Sequence, residues 1–164
     1  MWFPRVLQGD GRHDVPELYG CLYVSESPAS AVVEELAPLA GSRFAGADLM
    51  RNGLPLALAT LDLPDDARLA DLDDPFTLAL EELRPSEVAT RERRKTQSAA
   101  SVIFRRHAST VGIRWWSTFD PGWANVTLFD RARDALDVAD VRRLRIDDDV
   151  VGEAVRFLGL RAAA

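Results

Sequence analysis

A few polar side chains in this sequence are of the right type and setting to do chemistry. Arg12 lies in "GDGRHD", a loop whose glycines let a guanidinium approach a phosphate with its bidentate fork. Glu34 follows Ser27 by seven residues in "SPASAVVEEL", and Tyr23 precedes both in "CLYV". Ser117 and Asn125 fall in "GIRWWSTFDPGWAN", which holds three of the four tryptophans. A carboxylate among small residues on a helix can project into a crevice. A tyrosine can offer an aromatic platform, and a serine at a strand end can point into a crevice. Residue type alone gives each a commoner fate. Arginine and glutamate mostly face water, and a strand tyrosine mostly serves the core.

Other chemistries find no support. His13 and His107 are too few and too far apart in sequence for a metal cluster, so no metal is expected. The phosphate-binding GxxxxGK[ST], the dinucleotide GxGxxG and the nucleophile GxSxG patterns are all missing. Cys21 is the only cysteine, which rules out an internal disulfide and a cysteine-rich zinc site. A net charge of −6 disfavours direct nucleic-acid binding, although "RERRK" could dock an acidic partner. No signal peptide is apparent, and no apolar run nears the roughly 20 residues of a membrane span. A cytoplasmic protein without membrane or nucleic-acid contact is expected.

The elements that must position these residues read as interleaved strands and helices. The 164 residues, 47% hydrophobic and 28% charged, suit one domain with a real core. "MWFPRVLQ" reads as a first strand limited by Pro4, and Gly9–Gly20 as a loop. "CLYV" reads as a buried strand. Ser27 then caps a helix with Pro28 at its first position, ending near Pro38 or Gly41. On that helix Ala29, Val32, Val33 and Leu36 form the core stripe. Ser27, Ser30, Ala31 and Glu34 share the other side. Two placements of Glu34 stay open there: solvent, or a crevice floored by small residues.

Residues 42–74 read as irregular, with strand-like alternation in "LPLALATLDLP". A helix is expected within Thr90–His107, with Ala99, Val102, Ile103 and Arg106 at helical spacing. "TVGIRWW", "ANVTLF" and "DVRRLRI" read as strands, Asp130–Leu136 as a short helix and "DDDVVGEAVRFLGL" as a terminal one.

Three segments together resemble the RES-domain family. "GRHDVPELYGCLYVSESPASAVVEEL" is similar to that family's GRF or GRW, then LYLAESP, then a helix with A-x-x-E. "TRERRKTQSAASVIFRRH" is similar to its R-x-x-T-Q helix, and "GIRWWS…ANVTLFDRA" to GIRYPSR followed by N-x-A-L-F. Arg12, Tyr23, Glu34, Ser117 and Asn125 fall on the matching positions. Two departures stand out: His13 where an aromatic is usual, and Trp115-Trp116 where Tyr-Pro is usual. Both bear on the shape of a pocket, and neither removes a matched residue.

The resemblance runs over nearly the whole chain and implies one RES-like domain over residues 1–164. The implied fold is α+β, a mixed sheet core flanked by helices and similar to ADP-ribosyltransferase toxins. The implied activity is that of a toxin of a bacterial toxin–antitoxin pair, cleaving the nicotinamide–ribose bond of NAD by phosphorolysis or hydrolysis. Transfer of ADP-ribose to a protein, or a non-catalytic NAD-binding module, are the alternatives. Glu34, Arg12, Tyr23 and Ser117 would be catalytic; Arg12, Tyr23, Ser27, Ser117 and Asn125 would contact NAD, the substrate. An Xre-like antitoxin, in a hetero-oligomer, and inorganic phosphate are the implied partners.

Overall fold

Along the chain of the computed structural model, which describes residues 5–162, run β1 (Cys21–Ser25), α1 (Pro28–Leu36), β2 (Arg43–Phe44), β3 (Met50–Arg51), β4 (Leu54–Pro55) and β5 (Ala57–Asp62). β6 (Arg68–Asp71), α2 (Pro75–Leu80), α3 (Pro85–Val88), α4 (Arg93–Arg106), β7 (Thr110–Trp116) and β8 (Ala124–Phe129) follow. β9 (Asp137–Arg143), α5 (Asp149–Phe157) and β10 (Arg161–Ala162) close the order. These elements divide into two units. One is the chain up to Glu26 with Leu63–Leu136; the other is Ser27–Asp62 with the chain from Asp137 on.

The first unit is built on a four-stranded mixed sheet in the order β1-β8-β7-β6. β8 is antiparallel to both β1 and β7, while β6 runs parallel to β7. Because directly paired residues share a face, the registers place Cys21, Tyr23 and Ser25 beside Phe129, Thr127 and Asn125, and these beside Ile113 and Trp115. One end of this face is apolar. There Tyr19, Cys21, Ile113 and Phe129 pack with Ala100 and Ile103 of α4. Tyr19, Phe104 and Phe129 meet at ring separations of 4.5 to 5.1 Å, in the range where aromatic pairs add to simple burial. The other end of the same face is polar, with Tyr23, Ser25 and Asn125. Strand β7 can lie this close to β8 because of Gly112: a Cβ there would stand 2.6 Å from the Thr127 carbonyl oxygen.

α4 is fastened at its C-terminal end by Arg131. Its Nη1 donates to the carbonyls of His107, Ala108 and Thr110, and its Nη2 to that of Phe104. The Phe104 carbonyl is one that the last turn of the helix leaves without a helical partner, while the His107 carbonyl also accepts from the Thr110 N–H.

In the second unit α1 packs against α5, burying Val32, Val33 and Leu36 on one helix and Val151 and Ala154 on the other. Ser27 caps α1, accepting from the Ser30 N–H at 3.4 Å, and Pro28 takes the first helical position as expected. β5 and β9 form an antiparallel ribbon, β2 pairs parallel with β10, and β3 pairs with β4. Between β3 and β4, Asn52 and Gly53 both take positive φ (52° and 77°), which a two-residue turn of the primed type requires.

The mixed sheet with flanking helices agrees with the expected α+β class, and β7 and β8 coincide with "TVGIRWW" and "ANVTLF". Several expectations are corrected. Arg5–Leu7 is a 3-10 turn and not strand, the rest of "MWFP" lying outside the described residues. Ser30, placed by the spacing away from the core stripe, is fully buried. The buried stripe of α4 is Thr96, Ala100 and Ile103, with Val102 exposed, since a polar threonine occupies one inward position. β9 stops at Arg143, so the "LRI" of "DVRRLRI" is not strand. The stretch read as irregular holds β2 to β6, several of which pair with strands far along the chain.

Candidate functional site

The loop carrying Arg12 is held from three directions. Asp14 folds back under it, its Oδ2 accepting from the N–H groups of Gly9 and Gly11 at 2.8 Å each. Its Oδ1 accepts from the Tyr23 hydroxyl at 2.6 Å, and that hydroxyl in turn accepts from the His13 N–H at 2.9 Å. α4 grips the loop from its other side. The Thr96 hydroxyl donates to the Arg12 carbonyl, and Gln97 Nε2 donates to the carbonyls of Gly9 and Gly11 at 2.9 and 3.0 Å. The Thr-Gln pair of the second segment's helix, α4, is therefore a clamp on the arginine loop. Gly11 is obligatory at this junction: a Cβ would come within 2.5 Å of both Asp14 Oδ1 and the Tyr23 hydroxyl.

Arg12 itself is buried, with 7% of its surface exposed. Its Nη1 donates to the carbonyls of Val88 and Thr90 at 2.9 and 2.8 Å. Its guanidinium lies 4.6 Å from the centre of the Trp115 ring, a cation–π distance. Carbonyls and an aromatic face orient the group.

His13 continues the same packed layer. Its Nδ1 is 2.8 Å from Thr127 Oγ1 and its ring meets Trp115 edge-on at 5.5 Å. Trp115 Nε1 donates to the same Thr127 hydroxyl at 3.2 Å. Burial, and then the positive charges of Arg12 and Arg93, push the His13 imidazole down to about 3, so it stays neutral near neutrality. The Tyr23 hydroxyl is pushed upward, first by desolvation, and stays protonated as a donor to Asp14.

At the polar end of the sheet face the Ser25 hydroxyl donates to Asn125 Oδ1 at 2.6 Å, across the β1–β8 pair. Ser117 follows the last residue of β7. Its Oγ accepts from the Phe119 N–H at 3.1 Å and its N–H donates to the Trp123 carbonyl at 2.7 Å, so it is a buried turn anchor. Arg114 points to the opposite face, bound to Glu26 and Asp71.

The structure thus gathers Arg12 and Tyr23 around one loop, and sets Asn125 at the end of the sheet face that carries Tyr23. Ser27 and Glu34 belong to the second unit, as the cap and a late residue of α1. Glu34 and Glu35 are both exposed, and Glu35 pairs with Arg51. Sequence reasoning missed Asp14, Thr96 and Gln97 as organisers of the loop. Their signal was in the quoted motifs, as an acid two residues after Arg12 and as the Thr-Gln pair.

Among the described residues no group of three or more His, Cys, Asp or Glu is placed to hold a metal ion. Nor is any helix there long and apolar enough to cross a membrane.

Comparison with protein families finds the RES domain over residues 1–149. No curated protein matches the sequence. Among solved structures, the fold is similar to a chain in the crystal structure of the M. tuberculosis MbcT–MbcA toxin–antitoxin complex, with a TM-score of 0.57 and 15% identity. The likeness covers 92% of this chain and 76% of that one, and at this identity it speaks for the fold.

Proposed function

The chain belongs to the RES-domain family, and from that premise we propose that it is the toxin of a toxin–antitoxin pair that destroys NAD. The observation that carries the reading is the fastened arginine loop. Four residues of the family motifs, Arg12, Tyr23, Thr96 and Gln97, join in one hydrogen-bonded assembly, which is what a binding loop needs if it is to meet a ligand already in shape. The solved neighbour, itself part of a toxin–antitoxin complex, adds an antitoxin as the proposed partner.

In this reading Arg12 supplies positive charge to the diphosphate of NAD, with the carbonyls of Val88 and Thr90 holding its plane. Tyr23, a residue 40% exposed although its hydroxyl is engaged with Asp14, offers the face of its ring. Ser27, Ser117 and Asn125 serve the ribose and carboxamide by hydrogen bonding. Glu34 stabilises the cation that develops at the ribose as nicotinamide leaves with the bonding electron pair. Phosphate or water then attacks that carbon, giving ADP-ribose 1″-phosphate or ADP-ribose.

Induced expression in a bacterial host tests the reading. Wild type should arrest growth with cellular NAD falling first, co-expressed antitoxin should prevent both, and Glu34→Gln should do neither harm. Growth arrest with NAD undiminished would point instead to a protein acceptor and overturn NAD destruction as the function.

A further inference from the structure

Strand β9 is unusual in that every residue from Asp137 to Arg143 is exposed. Its one partner among the described residues is β5, so its outer edge stands open. An open edge is a template for another strand, and a lone two-stranded ribbon gains little stability by itself.

The register shows what the ribbon offers. Val138 stands opposite Leu61, Val141 opposite Ala59 and Arg143 opposite Ala57, with Ala139 the extra residue of a bulge. One face is therefore mainly apolar, carrying Ala57, Ala59, Leu61, Val138 and Val141 with Arg143 at its end. The other is mainly polar, carrying Thr60, Asp62, Asp137, Asp140 and Arg142 with Leu58. Val138 and Val141 are 51% and 56% exposed, so nothing covers the apolar face at β9.

The direction of the backbone groups follows from the ladder. Leu144 N–H donates to the Leu56 carbonyl, so by antiparallel alternation Arg142 and Asp140 also turn their groups toward β5. Val141, and Val138 beyond the bulge, turn theirs outward.

We propose that β9 pairs antiparallel with β9 of a second copy of this chain across a twofold axis, joining two ribbons into one four-stranded sheet. The strand is self-complementary about Val141. With Val141 opposite the second copy's Val141 on the twofold axis, the two outward-turned residues meet as a hydrogen-bonded pair, and the valines lie side by side on the apolar face. The same register sets Asp140 opposite Arg142 on the polar face, twice by symmetry. Arg142 also pairs with Asp148 of its own chain at 3.1 Å, so in the dimer it lies between two carboxylates.

The proposal does not depend on NAD chemistry. Sedimentation equilibrium of the purified full chain over a wide concentration range tests it. A reversible monomer–dimer equilibrium is expected. Val141→Pro removes an N–H that does not serve the β5 ladder, and should weaken the dimer about tenfold or more. Asp140→Arg and Arg142→Asp should each weaken it to a similar degree, and the double variant, with the charges exchanged, should recover most of the affinity. Circular dichroism confirms that each variant is folded; recovery in the double variant separates lost pairing from lost fold. A monomer at every concentration overturns the proposal, and would leave the edge to a different partner. So would a dimer indifferent to Val141→Pro, or a double variant no better than the single ones.

Discussion

Replacing Asp14 by alanine removes one acceptor that three donors share. The Gly9 N–H lies on an exposed residue and can turn to water, so its loss counts for little. The Gly11 N–H and the Tyr23 hydroxyl are less accessible, and each loses a bond to a carboxylate. Hydrogen bonds to charged groups contribute about 1.5–3 kcal/mol each, so the two together give roughly 3–6 kcal/mol. For a chain of this length 1 kcal/mol moves Tm by about 2–4 °C, and the expected fall is roughly 10 °C. Asp14→Asn should cost less, about 1–2 kcal/mol, because the amide oxygen keeps the loop bonds while the amide nitrogen faces a tyrosine hydroxyl that was donating. Thermal unfolding followed by circular dichroism reads both variants against wild type. If Asp14→Ala unfolds within about 2 °C of wild type, the carboxylate does not organise the loop and the argument fails.

Gly11→Ala drives a methyl group into Asp14 and Tyr23 and should destabilise by about 1–3 kcal/mol, read in the same unfolding assay. Thr96→Val leaves the Arg12 carbonyl without its hydroxyl donor and should cost about 1–2 kcal/mol in a urea titration. For His13 the folded imidazole is pushed down to about 3, so between that value and the unfolded value of about 6.5 the unfolded chain binds the extra proton. Its contribution to stability is therefore fully present above about 6.5 and lost as pH falls toward 3. His13→Phe should flatten the decline of Tm with acid across that window, and an unchanged profile would show that His13 does not govern it. Cys21 is buried and its thiol is pushed up to about 12, so native protein should resist thiol reagents at neutral pH until it unfolds.

The strands of the central sheet were legible because their signals are local. β7 and β8 alternate or run apolar over six or seven residues, and Ser27-Pro28 announces its helix. The segment between α1 and α2 was legible only in part: alternation in "LPLALATLDLP" marks β5, whereas β6 is made a strand by a partner more than forty residues away. The inward positions of α4 were misread for a related reason. Thr96 looks like a surface residue by type, and becomes buried only because the Arg12 carbonyl gives its hydroxyl a partner.

The site divides along the same line. Residue types and motif order singled out Arg12 and Tyr23, which the fold does bring to one loop. What the motifs could not convey is how much of the loop's chemistry is internal. Tyr23 spends its hydroxyl on Asp14 and His13, and Ser117 receives a backbone N–H. Geometry of that kind depends on contacts such as Gly11 against Tyr23, which no spacing rule encodes.

The measurement that tests the central claim most directly is nicotinamide release from NAD by the purified, antitoxin-free chain, with and without inorganic phosphate, beside Glu34→Gln. The account predicts release by wild type and none by Glu34→Gln, with equal folding of the two by circular dichroism. A rate that rises with phosphate and yields a phosphorylated ADP-ribose would assign phosphorolysis; a rate indifferent to phosphate would assign hydrolysis. Release by Glu34→Gln at the wild-type rate, or a folded wild type that leaves NAD intact, would contradict the account.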